Sequence, residues 1–188
     1  MKRIKYLLGS LICIVLLMSI VSCSTTVKSE LHPHNYQRLS QLIGGNKKKV
    51  CQELEIQEDE MQLLATGLYQ TPMRIEFLGF SFEVLLNFDV ENDKLYAFSY
   101  RKVYSNQIDV AEVDMKNMFQ QLTDLHGKPD TYEGIVNRVS NIESFAKGEA
   151  FSVYDVWNVS DEEKLYFHVS TDGESNVDLQ LQYRFEIQ

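Results

Sequence analysis

The sequence predicts an α+β domain in which short helices pack on one face of an antiparallel sheet, with a helix-then-strands plan repeated twice. Three observations indicate this fold. Apolar and polar residues alternate from Val177 to Ile187, which is typical of an antiparallel strand with one buried face. Apolar residues recur every three or four positions from Ile108 to Leu125, which indicates an amphipathic helix. Helical and alternating segments follow in the same order in residues 46–104 and 107–187.

The first 22 residues predict a secretory leader. Lys2, Arg3 and Lys5 precede an uncharged apolar run from Tyr6 to Val21, and a basic region before an apolar one is typical of a signal peptide. The run is slightly short for a transmembrane helix, which needs about 17–25 residues. We therefore expect residues 1–22 to be removed from the mature protein.

The end of this leader, Ile20-Val21-Ser22-Cys23, resembles the lipobox of bacterial lipoproteins. The resemblance implies that Cys23 carries a diacylglycerol thioether and anchors the chain in the cell membrane or the outer membrane, facing outside the cytoplasm. Two acyl chains suffice for stable anchoring. An ordinary secreted protein or an uncleaved anchor is the alternative. Residues 23–34 are polar and without period, so they are expected to form a tether before a domain at 35–188.

Charge and cysteine content narrow the possible functions. The leader carries three of the 18 basic residues and none of the 27 acidic ones, so its removal changes the formal charge from −9 to −12. A nucleic-acid partner is disfavoured because phosphates need a basic surface. With Cys13 in the leader and Cys23 lipidated, Cys51 has no partner for a disulfide. We expect Cys51 to act as a small buried hydrophobe.

Two short helices and a set of strands are expected in the first half, about residues 35–105. Asn35 is positioned to cap a helix that ends at Gly44-Gly45, and Asn46 to cap a second helix that fades at Glu58-Asp59-Glu60. From Met73 the apolar period changes to two, which predicts strands. These cover residues 74–78, 80–88 and 95–104, with a turn at Asn92-Asp93.

The second half, about residues 106–188, begins with the longest helix. Asn106 or Asp109 can cap it, and Gly127 with Pro129 ends it. Strands are expected at residues 151–159, 165–170 and 177–187, and one strand with a loop at 132–148. A continuous sheet shared by both halves is the favoured architecture, and two separate two-layer halves are the alternative.

Short motifs in both halves resemble known envelope proteins. Ile43-Gly44, Lys47, Val50 and Leu54 are similar to the opening of small lipoproteins of the outer-membrane β-barrel assembly machinery. The tandem helix-then-strands plan is similar to that of β-lactamase inhibitory proteins. The run Leu122 to Pro129, Trp157 and the segment 179–183 resemble many bacterial lipoproteins of unassigned function. The resemblance implies a protein-binding module without catalytic activity.

Groups that could carry chemistry are scattered. His32 and His34 lie in the tether, and without a third ligand they predict a solvated linker rather than a metal site. His126 is expected to be favoured as a cation at a helix C-terminus, and His168 to lie on a polar strand face. The acidic runs 58–60 and 161–163 are expected to be solvated turns, and Asp89, Glu91 and Asp93 a hairpin connection. No metal or cofactor is predicted.

The most suggestive feature for binding is an aromatic phase of the strand 95–104, formed by Tyr96, Phe98, Tyr100 and Tyr104. The other phase consists of Leu95, Ala97, Ser99 and Arg101. If the aromatic phase is uncovered, its rings offer the contact area that is typical of protein interfaces. In the alternative the rings belong to the core, which Ser99 and Arg101 favour.

Together these features predict a lipid-anchored cell-envelope protein that is not an enzyme and binds another envelope protein. A binder of a small molecule or envelope polymer, using a pocket that includes Trp157, is the alternative. A hydrolase that uses scattered carboxylates is a third hypothesis.

Overall fold

The computed structural model describes residues 31–132, 134 and 150–186, and these residues contain an eight-stranded antiparallel sheet with helices on one of its faces. The order of the strands is β1-β2-β3-β4-β8-β7-β6-β5. The predicted α+β class and its antiparallel sheet are confirmed. The predicted strand and loop at 132–148 lie almost entirely outside the described residues, as does Cys23.

Four strands of the first half form consecutive hairpins: β1 (Gln62–Ala65), β2 (Leu68–Phe77), β3 (Phe80–Phe88) and β4 (Leu95–Ser105). The sequence did not predict β1 or the part of β2 that precedes Arg74. Three of the four β1 residues are exposed, so no apolar alternation marks that edge strand. Pro72 lies in an irregularity between Gln70 and Arg74, where the pairing of β2 with β3 shifts register, as expected for a proline within a sheet.

The remaining strands are β5 (Thr131–Tyr132), β6 (Phe151–Asn158), β7 (Glu163–Thr171) and β8 (Asn176–Phe185). The pairing of β4 with β8 joins the two groups of strands, with Phe98 opposite Tyr183 and Tyr100 opposite Leu181. The favoured prediction of one continuous sheet is therefore confirmed, and two separate halves are excluded.

Within the described residues, three helices pack on the sheet: α1 (Tyr36–Ser40), α2 (Lys47–Leu54) and α3 (Ile108–His126), with a short 3₁₀ turn at Glu58–Glu60. Asn46 caps α2 as predicted, because its Oδ1 accepts a hydrogen bond from Lys49 N at 2.9 Å. Neither predicted cap of α3 is used: the residue before the helix is Gln107, whose side chain makes no capping hydrogen bond.

The predicted cap at Asn35 is also not made by its side chain. Its Oδ1 instead accepts a hydrogen bond from Tyr100 Oη at 2.8 Å. The Asn35 side chain therefore links the start of α1 to the centre of the sheet, and this tertiary hydrogen bond takes the place of local capping.

The core lies between the helices and one face of the sheet, which we call the first face. The helices contribute Leu39, Val50, Cys51, Leu54, Ala111, Met115, Met118 and Leu122 to it. Alternate residues of β8 meet them, namely Val177, Leu179, Leu181 and Tyr183, all of which are fully buried. This confirms the phase predicted for that strand. Cys51 is buried and free, as expected.

Candidate binding face

The structure places the predicted aromatic binding residues in two different environments. Phe98 and Tyr100 have no exposed surface and Tyr104 is 3% exposed. The three rings lie on the first face, beneath the helices, where Phe98 stacks on Tyr183 at 5.4 Å and Tyr104 Oη donates to Asp114 of α3 at 2.6 Å. The prediction that these three residues form an exposed binding face is therefore wrong, and the alternative that they belong to the core is correct.

Tyr96 differs from the other three because a β-bulge separates it from them. The register of β3 with β4 shifts so that Asn87 pairs with Ala97 and Phe88 with Leu95, which leaves Tyr96 as the extra residue. A bulge rotates the local backbone and redirects side chains. Leu95 joins the core, while the Tyr96 ring lies 5.7 Å from the Arg184 guanidinium. Strict alternation along the strand could not have found this bulge.

The opposite surface of the sheet, which we call the second face, carries the other phase of each strand. Near β3 and β4 this face is buried, because Leu85, Ala97 and Ser99 have no exposed surface. From β6, β7 and β8 it carries Ser152, Tyr154, Val156, Lys164, Tyr166, His168, Asp178, Gln180, Gln182 and Arg184. Tyr154 is 39% exposed, and its ring lies 5.9 Å from that of Tyr166. The contacts of α1 and α3 with the sheet are made on the first face, through residues such as Tyr36, Asp114 and Phe119.

Two ion pairs cross strands on the second face. Arg101 Nε lies 2.6 Å from Asp178 Oδ2, with both side chains less than one quarter exposed. Arg74 lies 2.7 Å from Glu83, and the arginine is 65% exposed. The Arg74–Glu83 pair, whose arginine is exposed, contributes little to stability. The effect of the two pairs here is to neutralise two of the cations of the second face.

A Ser152–His168 contact on the second face resembles part of a nucleophilic site. Ser152 Oγ and His168 Nε2 lie 2.6 Å apart. Asp178 favours the charged imidazole, but burial lowers the pKa of His168 more strongly. Asp178 Oδ1 accepts no hydrogen bond, and its Oδ2 is bound by Arg101. A Ser–His nucleophile needs a third group that orients the histidine, and among the described residues Asp178 does not fulfil that role.

One broad groove opens at the end of the second face, between the β3–β4 loop and the ends of β7 and β8. It has a volume of about 970 Å³ and is lined by both basic and aromatic side chains. This is near the upper limit of about 1,000 Å³ that is common for ligand sites. The charged and aromatic residues that line it include Asp89, Lys94, Tyr96, Lys164, Tyr166, Arg184, Phe185 and Glu186. Of these, the sequence analysis singled out only Tyr96 for binding.

Trp157 does not line an open site. Its side chain is 1% exposed, its ring lies 6.0 Å from Phe119, and its Nε1 donates a hydrogen bond to Gly127 O at 2.8 Å. Because this single tryptophan belongs to the core, it does not line the ligand pocket that was predicted as the alternative binding site.

The N-terminal end of the described chain packs against the domain, contrary to the predicted tether through residue 34. Pro33 is buried, and the His32 ring stacks on Tyr36 with a centroid distance of 4.0 Å. The His32 and His126 rings lie 5.8 Å apart. Burial, and secondarily repulsion by His126, lowers the pKa of His32 to about 4. His32 is therefore a neutral packed residue, not a solvated one.

His126 and Glu163 also differ from their predicted roles. Burial lowers the pKa of His126, so desolvation outweighs the expected preference for a cation at the C-terminus of α3. Glu163 is 8% exposed and accepts a hydrogen bond from Tyr36 Oη at 2.6 Å. Burial raises the pKa of Glu163 despite this bond. The acidic run 161–163 is thus not wholly solvated.

Residues 31–132, 134 and 150–186 contain no group of three or more His, Cys, Asp or Glu side chains that could hold a metal ion. The Asp89 side chain supports the predicted hairpin connection, because its Oδ1 accepts hydrogen bonds from the backbone N of Glu91 and of Asn92. Within the same ranges, no helix is long and apolar enough to cross a membrane.

Comparisons of this chain with protein-family models, with curated proteins and with solved structures find no match.

Proposed function

We propose that this chain is a lipid-anchored cell-envelope protein whose domain binds another protein through the second face of the sheet and is not an enzyme. The observation that carries the proposal is the asymmetry of the sheet. Helices pack on the first face, whereas the part of the second face formed by β6, β7 and β8 presents polar and aromatic residues, including Tyr154 at 39% exposure.

The composition of the second face suits a protein interface. Tyrosine and arginine are enriched at the energetically important positions of interfaces, and Tyr96, Tyr154, Tyr166 and Arg184 all lie on this face or at its end. Their strands are held by continuous backbone pairing from β4 through β8 and β7 to β6. A rigid strand surface loses little conformational freedom when a partner binds, which favours affinity.

The repeated plan is part of the proposal. Among the described residues, α1 and α2 precede the four strands β1 to β4, and α3 precedes the four strands β5 to β8; the two groups meet at β4 and β8. We interpret them as two copies of one unit joined edge to edge, so that their second faces form one surface. The resemblance of this tandem plan to β-lactamase inhibitory proteins supports protein binding at the level of fold, where analogy is a weak guide to function.

The anchor can be tested separately from the domain. Cells that produce the full-length chain are labelled with an alkyne analogue of palmitate, and the chain is examined after affinity isolation. Label is expected on the original chain and on Cys51→Ala, but not on Cys23→Ala. Label retained by Cys23→Ala would contradict lipidation at Cys23.

The binding surface is tested with a photocrosslinking amino acid introduced at Tyr154 or at Tyr166 in the full-length chain. The matched positions on the helical side are Val110 and Val113, which are 49% and 58% exposed. A defined protein adduct is expected only from the second face. The adduct is identified by mass spectrometry, and its affinity for the domain is measured with the purified partner by calorimetry.

Equal adducts from both sides, or no saturable binding of the purified partner, would contradict the proposal. Conversion of a model ester or peptide that depends on Ser152 and His168 would contradict its non-catalytic part. That test compares the original chain with Ser152→Ala and with Ser170→Ala, the latter a serine that shares the second face and is the strand partner of Ser152.

A further inference from the structure

We infer that the groove at the end of the second face binds an acidic, extended segment of the protein partner, whose carboxylates pair with Lys94, Lys164 and Arg184. This inference rests on the proposed protein-binding function and specifies the chemistry of the partner. Lys94 belongs to the β3–β4 loop, Lys164 to β7 and Arg184 to β8, so tertiary structure alone brings the three cations into one groove.

Two of these cations have no carboxylate partner in the described parts of the chain. Arg184 is exposed and lies over the Tyr96 ring at 5.7 Å, a contact that orients the guanidinium without neutralising it. Lys94 is also exposed, and its ammonium forms neither a hydrogen bond nor an ion pair with a described residue. Both are therefore available to an anionic ligand.

Lys164 is paired weakly. Its Nζ lies 3.1 Å from Glu186 Oε1, and the two side chains are 39% and 68% exposed. An exposed pair of this kind contributes little to stability. A carboxylate of a bound segment can therefore replace Glu186 at little cost, and this would bring all three cations to the ligand.

The acidic side chains of the groove do not cancel its charge. Asp89 Oδ1 accepts two backbone N–H groups within its own loop, so that oxygen is already occupied. With Glu186 as the other acid, the groove has three basic and two acidic residues. Its formal charge is +1 in a chain whose formal charge is −9, so the groove is a local exception to the acidity of the chain, and its cations can pair with and orient the carboxylates of an acidic segment.

The other arginines of the second face explain why the groove is the preferred position. Arg74 is paired with Glu83 at 2.7 Å and Arg101 with Asp178 at 2.6 Å. An incoming carboxylate would have to displace an existing partner at either residue. It meets no such competitor at Arg184.

Aromatic rings favour a peptide over a simple polyanion. Tyr96, Tyr166 and Phe185 line the same groove as the cations, and rings of this type supply rigid apolar contact area together with, for tyrosine, a polar group. A peptide has both carboxylates for the cations and apolar side chains or peptide planes for the rings. A polymer of glycerol phosphate offers only the charges.

The test measures the binding of a fluorescein-labelled hexaglutamate peptide to the purified full-length chain by fluorescence anisotropy. Saturable binding is expected, and it should weaken strongly as salt rises from about 20 mM to about 150 mM, since the contacts are ionic and exposed. The double variant Lys94→Gln, Arg184→Gln should weaken binding about tenfold or more. The matched control Arg74→Gln should remain within about twofold, because Arg74 is already paired.

Absence of saturable hexaglutamate binding would overturn the inference, and so would equal weakening by Arg74→Gln. Tighter binding of poly(glycerol phosphate) than of hexaglutamate would overturn it in favour of an envelope polymer. Hexalysine should not bind. If the double variant still crosslinks to the partner from Tyr154, the inference about the groove is wrong but the proposed protein-binding function stands. If the original chain itself gives no crosslink from Tyr154, both the inference about the groove and the proposed function are wrong.

Discussion

Tyr36 and Glu163 are 127 residues apart in the chain, yet Tyr36 Oη donates a hydrogen bond to Glu163 Oε2 at 2.6 Å. The contact joins α1 to the first residue of β7. The Tyr36 ring also lies 5.1 Å from Tyr183 and 4.0 Å from His32. One tyrosine thus connects the N-terminal segment, the first helix and the far half of the sheet.

Tyr36→Phe is expected to destabilise the domain by about 1–3 kcal/mol at neutral pH, the usual cost of an unpaired buried polar group. The hydrogen bond from Tyr36 favours the ionised form of Glu163, whose pKa burial already raises above 4.5. Loss of this hydrogen bond in Tyr36→Phe raises the pKa of Glu163 further. A carboxyl group whose pKa is raised on folding makes the folded state less stable as pH rises, because its ionised form is disfavoured there. The free energy of unfolding lost in Tyr36→Phe should therefore be larger at pH 7 than at pH 4.

Urea unfolding at the two pH values measures this difference. Tyr166→Phe is the control, because its hydroxyl makes no hydrogen bond with a described residue, and it should change stability by less than about 0.5 kcal/mol. A Tyr36→Phe loss of equal size at pH 4 and pH 7 would contradict the linkage to Glu163.

His32 should make the domain less stable in mild acid. Its pKa falls from 6.5 to about 4 on folding, so its neutral form stabilises the fold above pH 6.5 and this contribution is lost as pH falls toward 4. At about 1.4 kcal/mol per unit the loss is at most roughly 3 kcal/mol. His126 acts in the same sense, since burial lowers its pKa, while Glu163 acts in the opposite one.

His32→Gln should reduce the slope of unfolding free energy against pH between about pH 4 and pH 6.5. His34→Gln is the matched control, because His34 is exposed on the other side of Pro33. Unchanged slopes in both variants would show that the His32 ring does not stay neutral in the packed segment.

Asp114 should contribute much more to stability than its neighbour Glu112 on the same helix. Asp114 Oδ2 accepts from Lys102 Nζ at 3.0 Å and from Tyr104 Oη at 2.6 Å, which ties α3 to β4. Asp114→Ala is expected to cost about 2 kcal/mol because it leaves the half-buried partners unpaired. Glu112 only pairs with Lys116 one turn away, so Glu112→Ala should cost about 0.5 kcal/mol or less.

Thermal and urea unfolding of both variants would provide the comparison. Recovery of most of the lost stability in Asp114→Asn would show that hydrogen bonding rather than charge holds α3. A cost for Glu112→Ala equal to that for Asp114→Ala would show that the contact with β4 is not significant.

Phe98→Ala should destabilise the domain by about 3–5 kcal/mol, since it removes a fully buried ring from the core. Tyr96→Ala, two residues away, should cost less than about 1 kcal/mol because that ring is half-buried and contacts mainly Arg184. Circular dichroism during urea unfolding measures both. Similar costs for the two would contradict the change of face at the bulge.

Local pattern was enough to predict most of the regular structure. Val177 to Phe185 alternate in the phase expected, and α3 ends at His126 before Gly127. These elements have strong periods because one side of each is buried over its whole length. The edge strand β1 has mostly exposed residues, so it gives no such signal, and it was missed.

The binding surface could be predicted only in part. Sequence periodicity separated the two phases of β4, but it cannot say which phase the helices cover. Tyr100 is buried because Asn35 and the helices pack over it. Tyr96 is not buried with it, because Tyr96 is the extra residue of the β-bulge. The cations of the groove come from a loop and two strands far apart in sequence, so no spacing in the chain indicates that they meet.

The amino-acid sequence alone was sufficient for the α+β class, for the alternation of the main strands and for the C-terminal end of the long helix, because these depend on the period of apolar residues and on turn residues in short segments. It also yields the expectation of a leader at residues 1–22, directly before Cys23. The side of the sheet that faces the helices, the burial of His32 and Glu163, and the groove around Arg184 arise only in three dimensions. They depend on contacts between residues such as Tyr36 and Glu163, which pack together through the whole fold and share no local pattern.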